Sequence, residues 1–198
     1  TREVPLDGLV EGLKQLQQQG FKGINVTVPF KEQVWQAVDS KSEHATRAGA
    51  VNTVVFNDDG TLYGDNTDGI GLCRDLVDNH AIELKGKRLL LLGAGGAARA
   101  ISVEVALAGA SHITIVNRSI ERGEELTKLL QDKLPCYADF APWEGTYSIP
   151  EETDVVINAT SIGLFPDVDA RLDFDLNTLT SEMVVADVIP NPPTTNLV

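Results

Sequence analysis

The chain has 198 residues, of which 42% are hydrophobic and 23% are charged, a composition typical of a globular protein with one large or two small domains. Its formal net charge of −13 disfavours nucleic acid and anionic membranes as partners, because the mean surface would repel both. No apolar run approaches the about 20 residues that cross a bilayer, and no signal peptide opens the chain.

The cysteines and histidines show neither disulfide nor metal-site spacing. Cys73 and Cys136 form no CxxC pair, and His44, His80 and His112 are scattered among polar neighbours. Structural zinc sites need closely spaced ligands, and disulfide frameworks belong to oxidising compartments. We therefore assign no metal and expect a cytoplasmic protein.

The first 69 residues alternate between helical and extended patterns. Apolar residues at helical spacing, a glycine stop and an Asn-Asp-Asp-Gly turn signal mark the boundaries. The predicted elements are a helix over 7–19, a strand over 24–28, a helix over 31–39 and a hairpin over 49–64.

The segment 25–31, NVTVPFK, carries polar side chains that a purely structural strand would not need. Strand alternation directs Asn25 and Thr27 to one face, and Pro29 ends the strand. Lys31 then lies near a helix N-terminus, where a cation opposes the helix dipole. Taken singly, each residue is better explained as surface, but together they favour a site for a small polar molecule.

From residue 86 onward, apolar strands alternate with helices, which is typical of a parallel sheet covered on both faces. The predicted strands and helices are 88–92, 97–108, 113–116, 120–131, 155–158 and 184–188. A helix over 70–79 links this region to the first. We therefore expect an α/β protein with an N-terminal α/β substrate-binding domain (1–69) and a Rossmann-type, doubly wound, parallel-sheet dinucleotide-binding domain (70–198).

The sequence GAGGAA at 93–98 follows a buried strand and opens a helix, the context in which a glycine motif predicts dinucleotide binding. Gly93 permits the tight turn, Gly95 lets the backbone approach a pyrophosphate, and Ala98 keeps helix and strand close. A glycine turn that binds nothing is the less favoured alternative.

The second strand of this region ends at Asn117 without the acid that would bind the ribose diol of NAD. Arg118, Ser119 and Arg122 instead offer donors suited to a 2′-phosphate, so the sequence favours NADP. Alternatively, the two arginines pair with the neighbouring helix glutamates, Glu121, Glu124 and Glu125.

Six motifs together resemble the shikimate dehydrogenase family in order and spacing, over nearly the whole chain. They are NVTVPFK at 25–31, AGAVNT at 48–53, GDNTDG at 64–69, GAGGAA at 93–98, NRS at 117–119 with Arg122, and NATSIG at 158–163. The resemblance implies reduction of 3-dehydroshikimate to shikimate by hydride transfer from NADPH, in aromatic amino-acid (chorismate) biosynthesis. It also implies a lysine that stabilises the developing alkoxide or delivers the proton.

By position, the resemblance implies that Lys31 and Asp68 form the catalytic pair. The same two residues are implied to contact the substrate together with Asn25, Thr27 and Asn52. The implied NADP ligands are Gly93, Ala94, Gly95, Gly96, Ala97, Asn117, Arg118, Ser119 and Arg122, with Thr160, Ser161 and Val188 beside the nicotinamide. On the residues alone, Asp68 is equally suited to cap the helix over 70–79.

The chain departs from the family pattern at Pro190, where the family usually has a tyrosine, and proline has no side-chain donor. The family's carboxylate-binding serine pair would lie before Thr1, and its substrate-binding glutamine after Val198, so neither is assigned. Alternatives are a paralogue acting on quinate or a related cyclic hydroxy acid, and a non-catalytic NADP or ligand sensor. Both a monomer and a homodimer fit a chain of this size.

Overall fold

The computed structural model describes residues 8–197, which form two β-sheets with helices packed against them. The N-terminal helices and strands are α1 (Leu9–Gln18), β1 (Gly23–Asn25), α2 (Lys31–Ala37), β2 (Ser40–Lys41), α3 (Glu43–Ala48), β3 (Thr53–Phe56), β4 (Leu62–Asp65) and α4 (Asp68–Arg74). The later ones are β5 (Arg88–Leu92), α5 (Gly96–Leu107), β6 (His112–Asn117), α6 (Ile120–Lys133), β7 (Tyr137–Pro142), β8 (Val155–Asn158) and β9 (Val184–Asp187).

The first sheet has four strands in the order β1-β3-β4-β2, and it contains the predicted hairpin between β3 and β4. The strand predicted over 24–28 ends at Asn25, although the Val26 N–H still donates to the Asn52 carbonyl at 2.7 Å. Val26 is buried as the alternation predicts, whereas Val28 is 50% exposed because the chain has left the sheet before it. The polar stretch after α2 contains β2 and α3, which the sequence analysis missed.

The second sheet has five parallel strands in the order β7-β6-β5-β8-β9. Along β5, Leu89 and Leu91 pack into one buried cluster, and Leu90 and Leu92 pack into another on the opposite face. Both faces are therefore covered, which explains the unbroken run of leucines. The predicted α/β class with a doubly wound parallel sheet is confirmed, but strand β7 was missed.

Helix α4 joins the two sheets and begins at Asp68, two residues before the predicted start. Its last turn continues as π-helix over Asp75–Asn79. A side chain at Gly69 would collide with the backbone carbonyl of Ala100, so α4 lies directly against the backbone of α5. Between residues 8 and 197, no helix has both the length and the apolar character to cross a membrane.

Candidate active site

Lys31, Asn52 and Asp68 meet at one corner of the molecule although they are far apart in the sequence. The Lys31 ammonium donates to Asp68 Oδ2 at 2.7 Å, and the Asn52 amide donates to Asp68 Oδ1 at 2.6 Å. The side chains of Lys31 and Asp68 are only 13% and 26% exposed. A lysine–carboxylate pair this withdrawn from water interacts more strongly than an exposed one, so both head groups are held in place.

Backbone contacts fix the positions of these three residues. Lys31 is the first residue of α2, and its carbonyl accepts from the Val51 N–H at 2.9 Å. Asn52 precedes β3, and its side-chain oxygen accepts from the Thr67 N–H at 3.1 Å. The elements α2, β3 and α4 therefore converge at this corner.

Asp68 does not cap its own helix with its side chain, so the capping interpretation is wrong. It is the first residue of α4 and follows the cap residue Thr67. Its two carboxylate oxygens are directed to Lys31 and Asn52 instead. A carboxylate that serves a lysine rather than its helix is suited to orienting that lysine.

The predicted substrate residues Asn25 and Thr27 lie next to this corner. Asn25 pairs with Thr53 across β1 and β3, one residue from Asn52. Both Asn25 and Thr27 are exposed, and their side chains donate and accept no hydrogen bond within the described part of the chain. Their polar groups are thus available to a ligand, while the role assigned to them stays a prediction.

The glycine turn lies where the carboxyl ends of the second sheet's strands meet. Gly93 has a φ of +102°, and a Cβ there would lie 2.9 Å from the Ala159 carbonyl oxygen. Both the backbone conformation and the lack of space therefore exclude a side chain at this position. A Cβ at Gly95 would have no neighbour within 4 Å, which leaves the open approach that a pyrophosphate needs. With Ala94 and Ala97 between and beside the glycines, the turn fits a dinucleotide.

Gly96 connects the glycine turn to the corner formed by Lys31, Asn52 and Asp68. A Cβ at Gly96 would lie 2.9 Å from the Cβ of Lys31 and 3.6 Å from that of Ala50. Gly96 is also the first residue of α5. The helix that would face the cofactor phosphates therefore begins in contact with the lysine.

The two arginines predicted to bind a 2′-phosphate differ in their surroundings. Arg118 is exposed and forms no ion pair with residues 8–197, whereas the Arg122 guanidinium donates to Glu32 Oε1 at 2.6 Å. The proposed pairing of these arginines with Glu121, Glu124 or Glu125 is therefore wrong for the described residues. Ser119 caps α6 by accepting from the Arg122 N–H, and Asn117 donates to the Ser119 carbonyl at 2.9 Å.

The residues predicted to line the nicotinamide follow β8 and β9. The Cγ2 of Thr160 would lie 3.3 Å from a Cβ at Gly93, so Thr160 borders the glycine turn. Ser161 is exposed beside it, and the Val188 N–H donates to the Asn158 carbonyl at 3.1 Å. These loops therefore lie at the same edge of the sheet as the turn.

Two buried asparagines that hold these loops were missed as site residues. Asn66 donates to the Ala50 carbonyl at 3.0 Å and accepts from the Asp68 N–H at 3.1 Å. Asn158 donates to Asp187 Oδ1 at 3.1 Å and accepts from Thr160. The sequence signal that could have identified them is an amide side chain within or directly after a strand. An amide buried there needs hydrogen-bond partners, so it holds neighbouring loops in place.

Family models and known proteins both match this chain. Residues 1–54 match the family model of the shikimate dehydrogenase substrate binding domain, and residues 75–165 match that of shikimate / quinate 5-dehydrogenase. A shikimate dehydrogenase (NADP(+)) of Hahella chejuensis is 42% identical over 167 residues, which are 84% of this chain and 59% of that protein. The chain thus spans less than two thirds of this curated relative.

Two solved structures cover the chain almost completely. A shikimate dehydrogenase in complex with NADP+ is 33% identical, with a TM-score of 0.85 over 99% of this chain and 67% of that one. The chain belongs to the shikimate dehydrogenase family. A second member of this structural group, the ligand-free 5-ketofructose reductase of Gluconobacter sp. strain CHM43, is 45% identical, with a TM-score of 0.82 over 98% of this chain and 69% of that one.

Asp68 falls between the two segments that match the shikimate dehydrogenase family models, while Lys31 and the glycine turn lie inside them. The geometry nevertheless brings Asp68 onto Lys31. Pro190, where the resemblance implies a tyrosine, is exposed just after β9.

Proposed function

We propose that this chain carries the reaction centre of an NADP-dependent shikimate dehydrogenase that reduces 3-dehydroshikimate to shikimate in chorismate biosynthesis. The observation that carries the proposal is the hydrogen-bonded set of Lys31, Asn52 and Asp68, with Lys31 Nζ at 2.7 Å from Asp68 Oδ2. A binding protein has less need of a lysine positioned in this way. The alternative of a non-catalytic sensor is disfavoured for that reason.

In the proposed mechanism, bound NADPH supplies the hydride, and the protein supplies placement and charge. Lys31 directs its ammonium to the substrate carbonyl oxygen, stabilises the negative charge that develops there and donates the proton that completes the hydroxyl group. Asp68 orients this ammonium through Oδ2 and is itself held by Asn52 through Oδ1. Asn25 and Thr27 bind substrate hydroxyls from the end of β1.

The cofactor assignment to NADP rests on both ends of the dinucleotide site. Gly93, Ala94, Gly95, Gly96 and Ala97 hold the pyrophosphate at the N-terminus of α5. The 2′-phosphate is bound by polar and basic residues between the end of β6 and the first turn of α6, namely Asn117, Arg118, Ser119 and Arg122. Thr160, Ser161 and Val188 line the nicotinamide.

We extend the proposal to the organisation of the protein. Residues 1–69 form the substrate-binding domain, and residues 70–198 form the NADP-binding domain with 70–79 as the bridging helix. The two unpaired cysteines support a cytoplasmic location. The net charge disfavours nucleic acid and anionic membranes as partners. The proposed partner is a small-molecule substrate, acted on by a monomer or a homodimer.

A second candidate is reduction of another polyhydroxylated carbonyl compound by the same residues. Two observations favour it, namely Pro190 in place of a tyrosine hydroxyl and 45% identity to a 5-ketofructose reductase. Both candidates share Lys31, Asp68 and the NADP site. They differ only in the substrate that binds at the first sheet. Quinate is a further alternative substrate of this kind.

The test is a spectrophotometric screen at 340 nm with the full-length protein. 3-Dehydroshikimate and 5-ketofructose are offered with NADPH or NADH, and shikimate and quinate with NADP+ or NAD+. The first proposal expects turnover of the shikimate couple with the 2′-phosphorylated cofactor. Turnover of 5-ketofructose or quinate alone favours the second candidate, and no turnover despite measurable NADPH binding supports the sensor.

A further inference from the structure

Glu32 links the two halves of the candidate site through charge. It follows Lys31 in the first turn of α2, and its Oε1 accepts from the Arg122 guanidinium of α6 at 2.6 Å. The two residues are 90 positions apart in the sequence. The ion pair therefore joins α2, which begins at Lys31, to α6, which is proposed to bind the cofactor's 2′-phosphate.

The second carboxylate oxygen of Glu32 faces another arginine. Arg99 of α5 is 7% exposed in its side chain, and its Nε lies 4.0 Å from Glu32 Oε2. The same guanidinium donates to Glu125 at 2.7 Å, but its Nε has no hydrogen-bond partner within residues 8–197. The Glu32 carboxylate is thus located between two guanidinium groups.

A carboxylate in this position resembles the phosphate that Arg122 is proposed to bind. Both are oxyanions that a guanidinium binds through charge-assisted hydrogen bonds, and each occupies donors that the other needs. Arg118 carries no such competitor among the described residues. The competition is therefore specific to Arg122.

We propose that Glu32 is a specificity-determining residue that occupies Arg122 until a 2′-phosphorylated dinucleotide displaces it. This inference rests on the proposed NADP function. The phosphate takes over Arg122, and the released carboxylate turns toward the Nε of Arg99. A dinucleotide without the 2′-phosphate leaves the pair of Glu32 and Arg122 intact. Glu32 accordingly weakens the binding of NADP(H) but not of NAD(H).

The experiment measures the Kd of NADP+, adenosine 2′,5′-bisphosphate and NAD+ by calorimetry for the full-length protein and for Glu32→Gln. An exposed ion pair contributes little, so we expect the Kd of both 2′-phosphorylated ligands to fall about two- to five-fold. The Kd of NAD+ should stay unchanged. If Glu32 had only a structural role, Glu32→Gln would change the Kd of all three ligands alike.

Two controls make the result specific. Glu124→Gln removes the same charge from α6, where Glu124 has no ion pair in the described chain, and should leave all three Kd values unchanged. In an Arg122→Ala background, Glu32→Gln should have no effect, because the competition needs both residues.

The outcomes separate this inference from the function on which it rests. Unchanged or weaker binding of the 2′-phosphorylated ligands by Glu32→Gln overturns the competition, as does an equal gain in Glu124→Gln. A wild-type protein that binds neither 2′-phosphorylated ligand overturns the NADP assignment itself. In that case the role of Glu32 fails with it.

Discussion

The corner formed by Lys31, Asn52 and Asp68 and the start of α6 are organised differently. At the corner, Asp68 has a donor on each carboxylate oxygen, and its neighbour Lys31 is largely buried. At the start of α6, Arg118 is exposed and has no ion-pair partner among residues 8–197. The protein itself therefore positions the groups of the corner.

The roles proposed for the two regions account for this difference. A group that stabilises charge in a transition state works best when it is already oriented, because no reorganisation is then needed. A group that recognises a phosphate gains its main partner from the ligand, so it can remain exposed beforehand. Substitutions in the corner should accordingly affect turnover, whereas those at α6 should affect cofactor binding.

The largest effect is expected from Lys31→Ala. Loss of the ammonium should lower kcat about 10²- to 10⁴-fold and raise KM far less, because charge stabilisation is lost at the reacting carbonyl. Steady-state kinetics with NADPH measure both constants. Lys22→Ala is the control, since Lys22 forms only an exposed pair with Asp58. Normal turnover by Lys31→Ala would mean that the catalytic assignment is wrong.

A smaller loss is expected from Gly96→Ala. The added Cβ would lie 2.9 Å from the Lys31 Cβ, so the lysine or α5 has to move. A displacement of this kind should lower kcat about 10- to 100-fold.

The matched control for Gly96→Ala is Gly71→Ala, in α4. A Cβ there would meet nothing within 4 Å, so turnover should be unchanged. Circular dichroism and thermal unfolding show whether both variants remain folded. Equal activity of the two variants would contradict the role of the close contact with Lys31.

At the other region, Arg118→Ala should raise the KM for NADPH about ten-fold while leaving that for NADH nearly unchanged. The reason is that only the 2′-phosphate needs the guanidinium. Lys128→Ala removes an exposed cation farther along α6 and serves as the control. Equal losses with both cofactors would place Arg118 away from the 2′-phosphate.

The smallest effect is expected outside both regions, at Asp154. Burial raises the pKa of this carboxyl, but hydrogen bonds from Lys87 and the Arg88 N–H outweigh it, so the pKa lies below the ordinary value. The ionised form therefore stabilises the fold above about pH 4, and this contribution is lost as the pH falls through the lower folded-state pKa.

Asp154→Asn should thus cost about 0.5–1 kcal/mol of unfolding free energy at pH 7. Urea titrations at pH 7 and at low pH measure the difference, which should shrink in acid. Kinetic constants should not change, because Asp154 precedes β8 at the sheet edge opposite the glycine turn. A cost that is independent of pH would contradict the ionic origin.

The parts of the fold that the sequence predicted well are those with unambiguous patterns. The continuous apolar runs of β5 and β8 were placed at their observed bounds, because strands buried on both faces exclude polar residues. Strand β7, YADFAP, lies at a sheet edge and mixes polar with apolar residues, so no run marks it. Helix α3 is only six residues long and mostly polar.

The sequence predicted those residues of the candidate site that lie within recognisable motifs. Lys31 and Asp68 were named from the resemblance, but the residues alone could not separate a catalytic from a capping role for Asp68. The contact between Glu32 and Arg122 could not be foreseen, because it depends on how two helices from distant parts of the chain approach each other. Local periodicity contains no information on such a distance.

The contact between Gly96 and Lys31 also limits how this protein can be recombined with others. Dinucleotide-binding modules are often regarded as interchangeable parts. Here a Cβ at Gly96, the third glycine of the turn, would lie 2.9 Å from the Cβ of Lys31, so the turn and the lysine are in close contact. In a chimera that imports a turn with any larger residue at this position, we therefore expect the lysine or α5 to be displaced, even if the turn itself still binds a nucleotide.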